Sequence, residues 1–374
     1  MNGMRINKSK PHLFLLLLLV LLYVVLAVFS SSELNMNNPS YISLFFYGKI
    51  IIISILLLLK YINMKIPKFE FVILLLAMIL SITLDSYLIT ISFFMLTGLA
   101  FSFIFEYGGV YKSSINLIFI ISILTILGLH SIGVLSGIEL IDEGKYAIGN
   151  KVSLGFSHPN KASILLVQVL LLAFCFKNRL VFFLSAIVYI YTFFHFAGRT
   201  ALGGLVIFIL LYLLALLPVW NADKYKKYIR WSFLFLHSSF PILLVFFISS
   251  GDWYIGDVNM NYVTNTRLSL MQELYNNNGG LHLYPVSIIG KIVDVGIANL
   301  LIGGGVLLYI GYVWCVNFYL KYENNMNLFL LMSSLLCMNF MENFINANML
   351  ASVILFARLI YIRRYSVNNL YPRL

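Results

Sequence analysis

Three residues able to handle charge or protons stand out in a chain that is otherwise apolar almost throughout: His158, Arg199 and Arg267. Arg199 lies in His195-Phe196-Ala197-Gly198-Arg199-Thr200, a break between the apolar runs 180–194 and 201–219. An arginine at bilayer depth costs at least about 2.5 kcal/mol on insertion scales, so a chain that keeps one there has a use for it. Arginine makes paired hydrogen bonds to phosphate oxygens and keeps its charge at any working pH. Where a diphosphate leaves, such a cation stabilises the charge that develops on it. A histidine or a carboxylate takes the proton of an attacking hydroxyl. Two arginines and a histidine therefore suit an anionic substrate carrying phosphate. Plainer readings stay open beside this one. Arg199 has the form of a helix-end arginine reaching for the membrane surface. His158-Pro159-Asn160 has the form of a turn with Asn160 as a helix cap. Arg267 is equally a solvated loop charge, and Asp294 a cap for the span that follows it.

The elements that must position these residues are membrane helices. Of 374 residues, 61% are hydrophobic and only 10% charged, more apolar surface than a soluble chain of this length can hide. Apolar runs of the roughly 17–25 residues that a spanning helix needs recur along the whole sequence. A β-barrel would instead show short alternating segments. The reading is an all-α polytopic membrane protein, a single integral membrane domain (1–374) of about twelve transmembrane helices. The runs are 13–29, 41–59, 69–84, 87–105, 115–135, 161–176, 180–194, 201–219, 231–249, 295–319, 327–341 and 349–362. The first, preceded by Arg5, Lys8 and Lys10, also resembles a secretory signal; a retained span is the reading adopted. Lysines and arginines gather in alternate connectors, such as Lys60, Lys65 and Lys68, or Lys224, Lys226, Lys227 and Arg230. That bias puts those connectors and both termini in the cytoplasm, and the large polar loops, about 136–160 and 250–294, outside. The net charge of +11 belongs to these connectors, so no nucleic-acid partner is expected. Cys175, Cys315 and Cys337 lie in apolar runs without metal-ligand spacing and read as packing residues.

On this topology the reactive residues collect on the outer face. His158 and Asn160 precede the sixth run, and Arg199 and Thr200 lie in the break at the outer end of the seventh. The long loop carries Asp252, Asp257, Arg267, Glu273, His282, Tyr284, Lys291 and Asp294, and Glu342 and Asn343 follow the eleventh run. No P-loop, Gly-x-Ser-x-Gly or His-Glu-x-x-His competes with them. The loops hold no Asp-x-Asp pair, so neither a metal site nor a cofactor is expected.

Gly155-Phe156-Ser157-His158-Pro159-Asn160-Lys161 opening one span, and Phe196-Ala197-Gly198-Arg199-Thr200 at the next outer turn, resemble motifs of the O-antigen polymerase (Wzy-like) and ligase group. Its capsule and exopolysaccharide polymerases are the nearest in layout. Asn265-Thr266-Arg267 stands where that group carries a further loop arginine, and Tyr284-Pro285 with Asp294 to Gly305 matches its closing stretch loosely. The resemblance implies a metal-independent, GT-C-like glycosyltransferase without cofactor at the outer face of the cytoplasmic membrane. Its substrate would be an oligosaccharide linked to undecaprenyl diphosphate. A polymerase of this kind moves a growing chain from its lipid diphosphate to the terminal hydroxyl of a new lipid-linked repeat unit. It works within membrane lipid, beside a chain-length regulator and a separate flippase. Arg199 and Arg267 would hold the diphosphate, and His158 or a loop carboxylate would be the base. Asn160, Thr200, Tyr284 and Asp294 would contact the substrate, Tyr284 by stacking on a sugar ring as Trp253, Tyr254 and Tyr262 could. An O-antigen-ligase-like enzyme and a flippase of lipid-linked oligosaccharide are the alternatives. A flippase would carry charges inside its spans, whereas most charges here sit at span ends.

Overall fold

A computed structural model describes residues 10–37, 39–62, 66–83, 85–106, 109–137, 139–140, 151–196, 198–217, 222–250, 253–263, 266–288, 295–340 and 342–370. Its first half contains α1 (Lys10–Phe29), α2 (Leu34–Asn37), α3 (Pro39–Tyr61), α4 (Lys68–Ile82), α5 (Ser86–Phe101) with a 3-10 extension (Ser102–Phe105), α6 (Gly109–Ser131), α7 (Pro159–Cys175) and α8 (Arg179–Phe196). Then come α9 (Arg199–Leu216), α10 (Ala222–Ser250), α11 (Met260–Val263), α12 (Arg267–Asn277), α13 (Gly296–Ile302), α14 (Gly305–Tyr322), α15 (Met326–Met338) and α16 (Leu350–Leu370). Two short antiparallel ladders, β1 (Glu139–Leu140) with β2 (Lys151–Val152) and β3 (Tyr254–Ile255) with β4 (Val258–Asn259), lie in the large polar loops.

The chain is an all-α membrane protein. Among the described residues, seven helices are long and apolar enough to cross a membrane: α1, α3, α5 with its extension, α6, α8, α9 and α10. The other apolar runs are helical too, but shorter or more polar. Helices α4, α7 and α15 have 15, 17 and 13 residues. Helix α14 carries Tyr309, Tyr312, Tyr319 and Tyr322, and α16 carries Arg358, Arg363 and Arg364. The run 295–319, read from sequence as one span, is broken. Gly303 and Gly304 separate α13 from α14, and Gly305 takes φ +73, where any Cβ would lie 2.6 Å from the Tyr284 carbonyl. The helix expected to start at Trp231 starts instead at Ala222, because its basic first turns continue the helix ahead of the apolar stretch.

Helix α7 is the hub. It is apolar on all sides and buried continuously from Ala162 to Ala173, the pattern of a helix surrounded by others. Helices α6, α8, α9, α15 and α16 pack around it. Helix α1 joins this core through Val20, Tyr23, Val24, Ala27 and Val28.

The two ends of the bundle differ in chemistry. At one end, buried Lys60 reaches Glu70 at 2.8 Å, the Leu99 carbonyl at 2.8 Å and the Ser102 hydroxyl at 2.7 Å. Arg364 pairs with Glu70 at 2.7 Å and Glu106 at 2.6 Å, and the Tyr61 hydroxyl also donates to Glu70. Buried Glu323 takes both nitrogens of a fork from Arg358, at 2.8 and 3.0 Å, and its carbonyl accepts from Lys226 at 2.9 Å. These groups tie together α3, α4, α5 with its extension, α10, the end of α14, and α16. Glu323 precedes α15 and Glu342 follows it, so the second end lies about 20 Å away along that helix at 1.5 Å per residue.

Candidate functional site

The second end collects the residues singled out from sequence. Its foundation is the chain at 153–158. Gly155 takes φ +86, and a Cβ there would meet His130, Leu135 and the Ile126 carbonyl at 3.1–3.3 Å, so glycine is required. The backbone on either side is paired with the connector after α1: Glu33 N–H donates to the Gly155 carbonyl and Ser157 N–H to the Ser31 carbonyl, both at 2.9 Å. Glu33 in turn accepts from the Ser136 hydroxyl at 2.5 Å and Gly137 N–H at 3.0 Å. Buried Phe156 meets Phe196 edge-on at 6.2 Å. Gly198 sits on α7 so closely that a Cβ would lie 2.3 Å from Ser163 Oγ. The two stretches of the sequence motif thus pack against each other, through one aromatic pair and one glycine.

His158 is the N-cap of α7: its Nδ1 accepts from Asn160 N–H at 3.1 Å, with Pro159 in the first turn. The cap is therefore His158, and Asn160 supplies only a backbone donor to it, the reverse of the turn expected from sequence. A ring nitrogen that accepts carries no proton, so in the neutral imidazole the proton is on Nε2. Arg199 is the first residue of α9 and is exposed, whereas Thr200 beside it is buried.

Helix α9 is locked onto α15. The Gly204 carbonyl accepts from Ser334 Oγ at 2.6 Å, and a Cβ on Gly204 would collide with Met338. This contact sets Thr200 over the end of α15, where its hydroxyl donates to Glu342 Oε1 at 3.4 Å. Arg267 Nη2 approaches the same oxygen at 3.7 Å, an ion pair longer than a hydrogen bond. Arg267 and Glu342 are only 23% and 13% exposed. Arg267 Nε is buried and meets no hydrogen-bond acceptor among the described residues. The long loop holds Arg267 at the start of α12, behind Thr266 in the left-handed region at φ +61. Asn261 accepts from Thr266 N–H at 2.8 Å through its carbonyl and from Ser269 N–H at 2.9 Å through its side chain. Gln272 ties α12 to α10 through the Ile248 carbonyl at 2.9 Å.

Glu342 stands on a non-helical stretch, 342–349, that enters the helical core: Phe344, Ile345 and Ala347 are buried. Irregular backbone survives among membrane helices only where protein groups satisfy it. Asparagine side chains do so here. Asn339 Oδ1 accepts from Phe344 N–H at 3.1 Å, Asn343 Oδ1 from Ile345 N–H at 3.2 Å and Asn346 Oδ1 from Asn348 N–H at 2.9 Å. The Tyr23 hydroxyl donates to the Ala347 carbonyl at 2.9 Å, and Lys49 donates to Asn348 Oδ1 at 2.7 Å and Ser30 Oγ at 3.3 Å. Gly296 packs on Asn339 and the Glu342 carbonyl with no room for a Cβ.

An apolar groove of about 290 Å³ leads away from this stretch. Helices α4, α5, α14, α15 and α16 line it; Asn339 and Phe344, close to Glu342 in sequence, belong to its wall, as do exposed Val72 and Trp314. Its wall is apolar apart from Asn339, Ser352 and the hydroxyls of Tyr312 and Tyr319.

Tyr284 is 66% exposed, and the chain around it covers the start of α14 by accepting from Val306 and Leu307 N–H through the His282 and Leu283 carbonyls at 2.9 and 3.1 Å. Asp294 and Lys291 lie outside the described residues. Thr200 and Arg267 are thus brought together, and the residue that joins them is Glu342. Sequence reasoning placed Glu342 on the outer face without giving it a role. The available signal was Asn339, Asn343, Asn346 and Asn348 around it, four amides in ten positions between apolar runs. Set against known protein families, curated proteins and solved structures, the chain finds no match.

Proposed function

We propose that this protein is a polysaccharide repeat-unit polymerase, a glycosyltransferase that moves a glycan chain from polyprenyl diphosphate to a lipid-linked acceptor. The observation that carries this reading is the contact of a guanidinium, a carboxylate and a hydroxyl, Arg267, Glu342 and Thr200, with Glu342 two residues before Phe344, which lines an apolar groove. A lipid-linked glycan has that polarity: an isoprenoid tail for the groove, a diphosphate for arginine, and sugars beyond it. Arg199 on the same turn as Thr200 adds a second cation for the diphosphate. The isoprenoid tail of the donor is the occupant assigned to the groove.

The twelve helical runs are taken to cross the cytoplasmic membrane in a GT-C-like layout, with both termini inside. The end holding Lys60, Lys226, Arg358, Arg363 and Arg364 is then cytoplasmic, in keeping with the bias of basic residues. The cluster at Glu342 faces outward, where lipid-linked repeats are displayed. The pairing of buried charges favours an enzyme over a flippase: Lys60, Glu70 and Glu323 are held in the network at one end, and Lys49 is bonded to Asn348 and Ser30 at the other.

The test is polymerisation itself. In a strain lacking this protein, single lipid-linked repeats are expected to accumulate and long polymer to disappear. Purified protein in liposomes should convert those repeats into a ladder of longer glycans. Normal polymer length in the deletion strain would sink the reading.

A further inference from the structure

We infer that Glu342 is the general base of this site, and that its carboxylate competes with the substrate's diphosphate for Arg267. The inference rests on the glycosyl-transfer reading above.

The geometry around Arg267 points to competition. A guanidinium offers five donors in a fork suited to paired contacts with phosphate or carboxylate. Glu342 gives Arg267 only a one-oxygen contact at 3.7 Å, and Nε has no acceptor among the described residues. A diphosphate, with several charged oxygens, is the better partner. Once Arg267 turns to it, Glu342 is left beside the leaving group without that counter-ion.

The placement of Glu342 suits a base. Its carboxylate lies within 3.4 Å of Thr200 Oγ1, on the turn that also bears Arg199. Its backbone stretch is held by Asn339, Asn343 and Asn346, so the group is positioned in advance. His158, the other candidate, accepts a hydrogen bond at Nδ1 from Asn160 N–H, which leaves N–H rather than a lone pair at Nε2 of the neutral ring.

The step balances as follows. The acceptor hydroxyl oxygen bonds to the anomeric carbon of the donor sugar, and its proton passes to the Glu342 carboxylate. The bond from that carbon to the diphosphate oxygen breaks, and the electron pair leaves on polyprenyl diphosphate, held by Arg267.

Two readouts on wild-type, Glu342→Gln and Glu342→Asp proteins test this, with farnesyl diphosphate as the binding probe and extension of lipid-linked repeats as the reaction. Loss of a base lowers the extension rate by about 10²–10⁴-fold in Glu342→Gln. Release of Arg267 tightens probe binding in the same variant by up to about fivefold, the worth of a partly exposed ion pair. Glu342→Asp should recover part of the rate. Folding of each variant is checked by thermal unfolding. Wild-type extension rate in Glu342→Gln, or probe binding that weakens together with rate, overturns the inference. Wild-type protein that binds the probe, more tightly in Glu342→Gln, yet extends no glycan overturns the glycosyl-transfer reading and the base with it. Competition for Arg267 would then stand alone.

Discussion

Lys49 donates to Asn348 Oδ1 at 2.7 Å, a bond between residues 299 positions apart. Lys49 lies within α3, a helix long and apolar enough to span, and its side chain is directed toward the helix N-terminus, as helical side chains are. The ammonium thereby reaches the stretch that carries Glu342. Lys49→Met leaves the Asn348 and Ser30 oxygens without this donor. The expected cost is about 1–3 kcal/mol of stability. Thermal unfolding in detergent measures it, and an unchanged midpoint would show that the Lys49 bonds contribute no net stability.

A second buried bond repairs a proline. Pro241 has no N–H to give to the carbonyl four residues back, and the Tyr309 hydroxyl donates to that carbonyl, His237 O, at 2.7 Å. Tyr309→Phe should therefore destabilise by roughly 1–3 kcal/mol. With Pro241→Ala the helix supplies its own donor, and the same tyrosine substitution should cost much less. Equal costs in both backgrounds would show that the two residues act independently.

Gly198 is the tightest point between the two motif stretches. Its missing Cβ would lie 2.5 Å from Ser163 Cβ, an atom too near its own backbone to move aside. Gly198→Ala should cost about 1–3 kcal/mol by overpacking. Ser163→Gly in the same chain should restore much of it. If the second change gives no recovery, the strain lies elsewhere in the turn.

Arg199 is exposed at the start of α9, so its removal should barely alter the fold. On the proposed reading, Arg199→Ala or Arg199→Lys abolishes polymerisation while the protein still reaches the membrane. Polymer of normal length from Arg199→Ala cells would demote the residue to a helix-end arginine.

The helices were legible because apolar runs of membrane length admit little else. Each expected run contains helix among its described residues, and helix α9 begins at Arg199, two residues ahead of the expected run, at the break between apolar runs. Runs say less about interruptions. The stretch 342–349 and the break at Gly303–Gly305 are as buried as helix, and hydropathy registers burial rather than backbone form. The His158 cap escaped because asparagine is the commoner capping residue, and Asn160 stood two places on. The meeting of Thr200, Arg267 and Glu342 escaped for a different reason. It depends on the lock between Gly204 and Met338 and on the Asn261 turn before α12, contacts between distant parts of the chain that leave no local pattern.

The exposure of Val72 and Trp314, both in the groove wall, has a kinetic consequence on the proposed reading. If the donor's tail enters beside them, it stays in the bilayer, so that encounter is a two-dimensional search. The variable that saturates the protein is then the mole fraction of donor lipid in the membrane, and diluting vesicles of fixed composition would leave turnover unchanged.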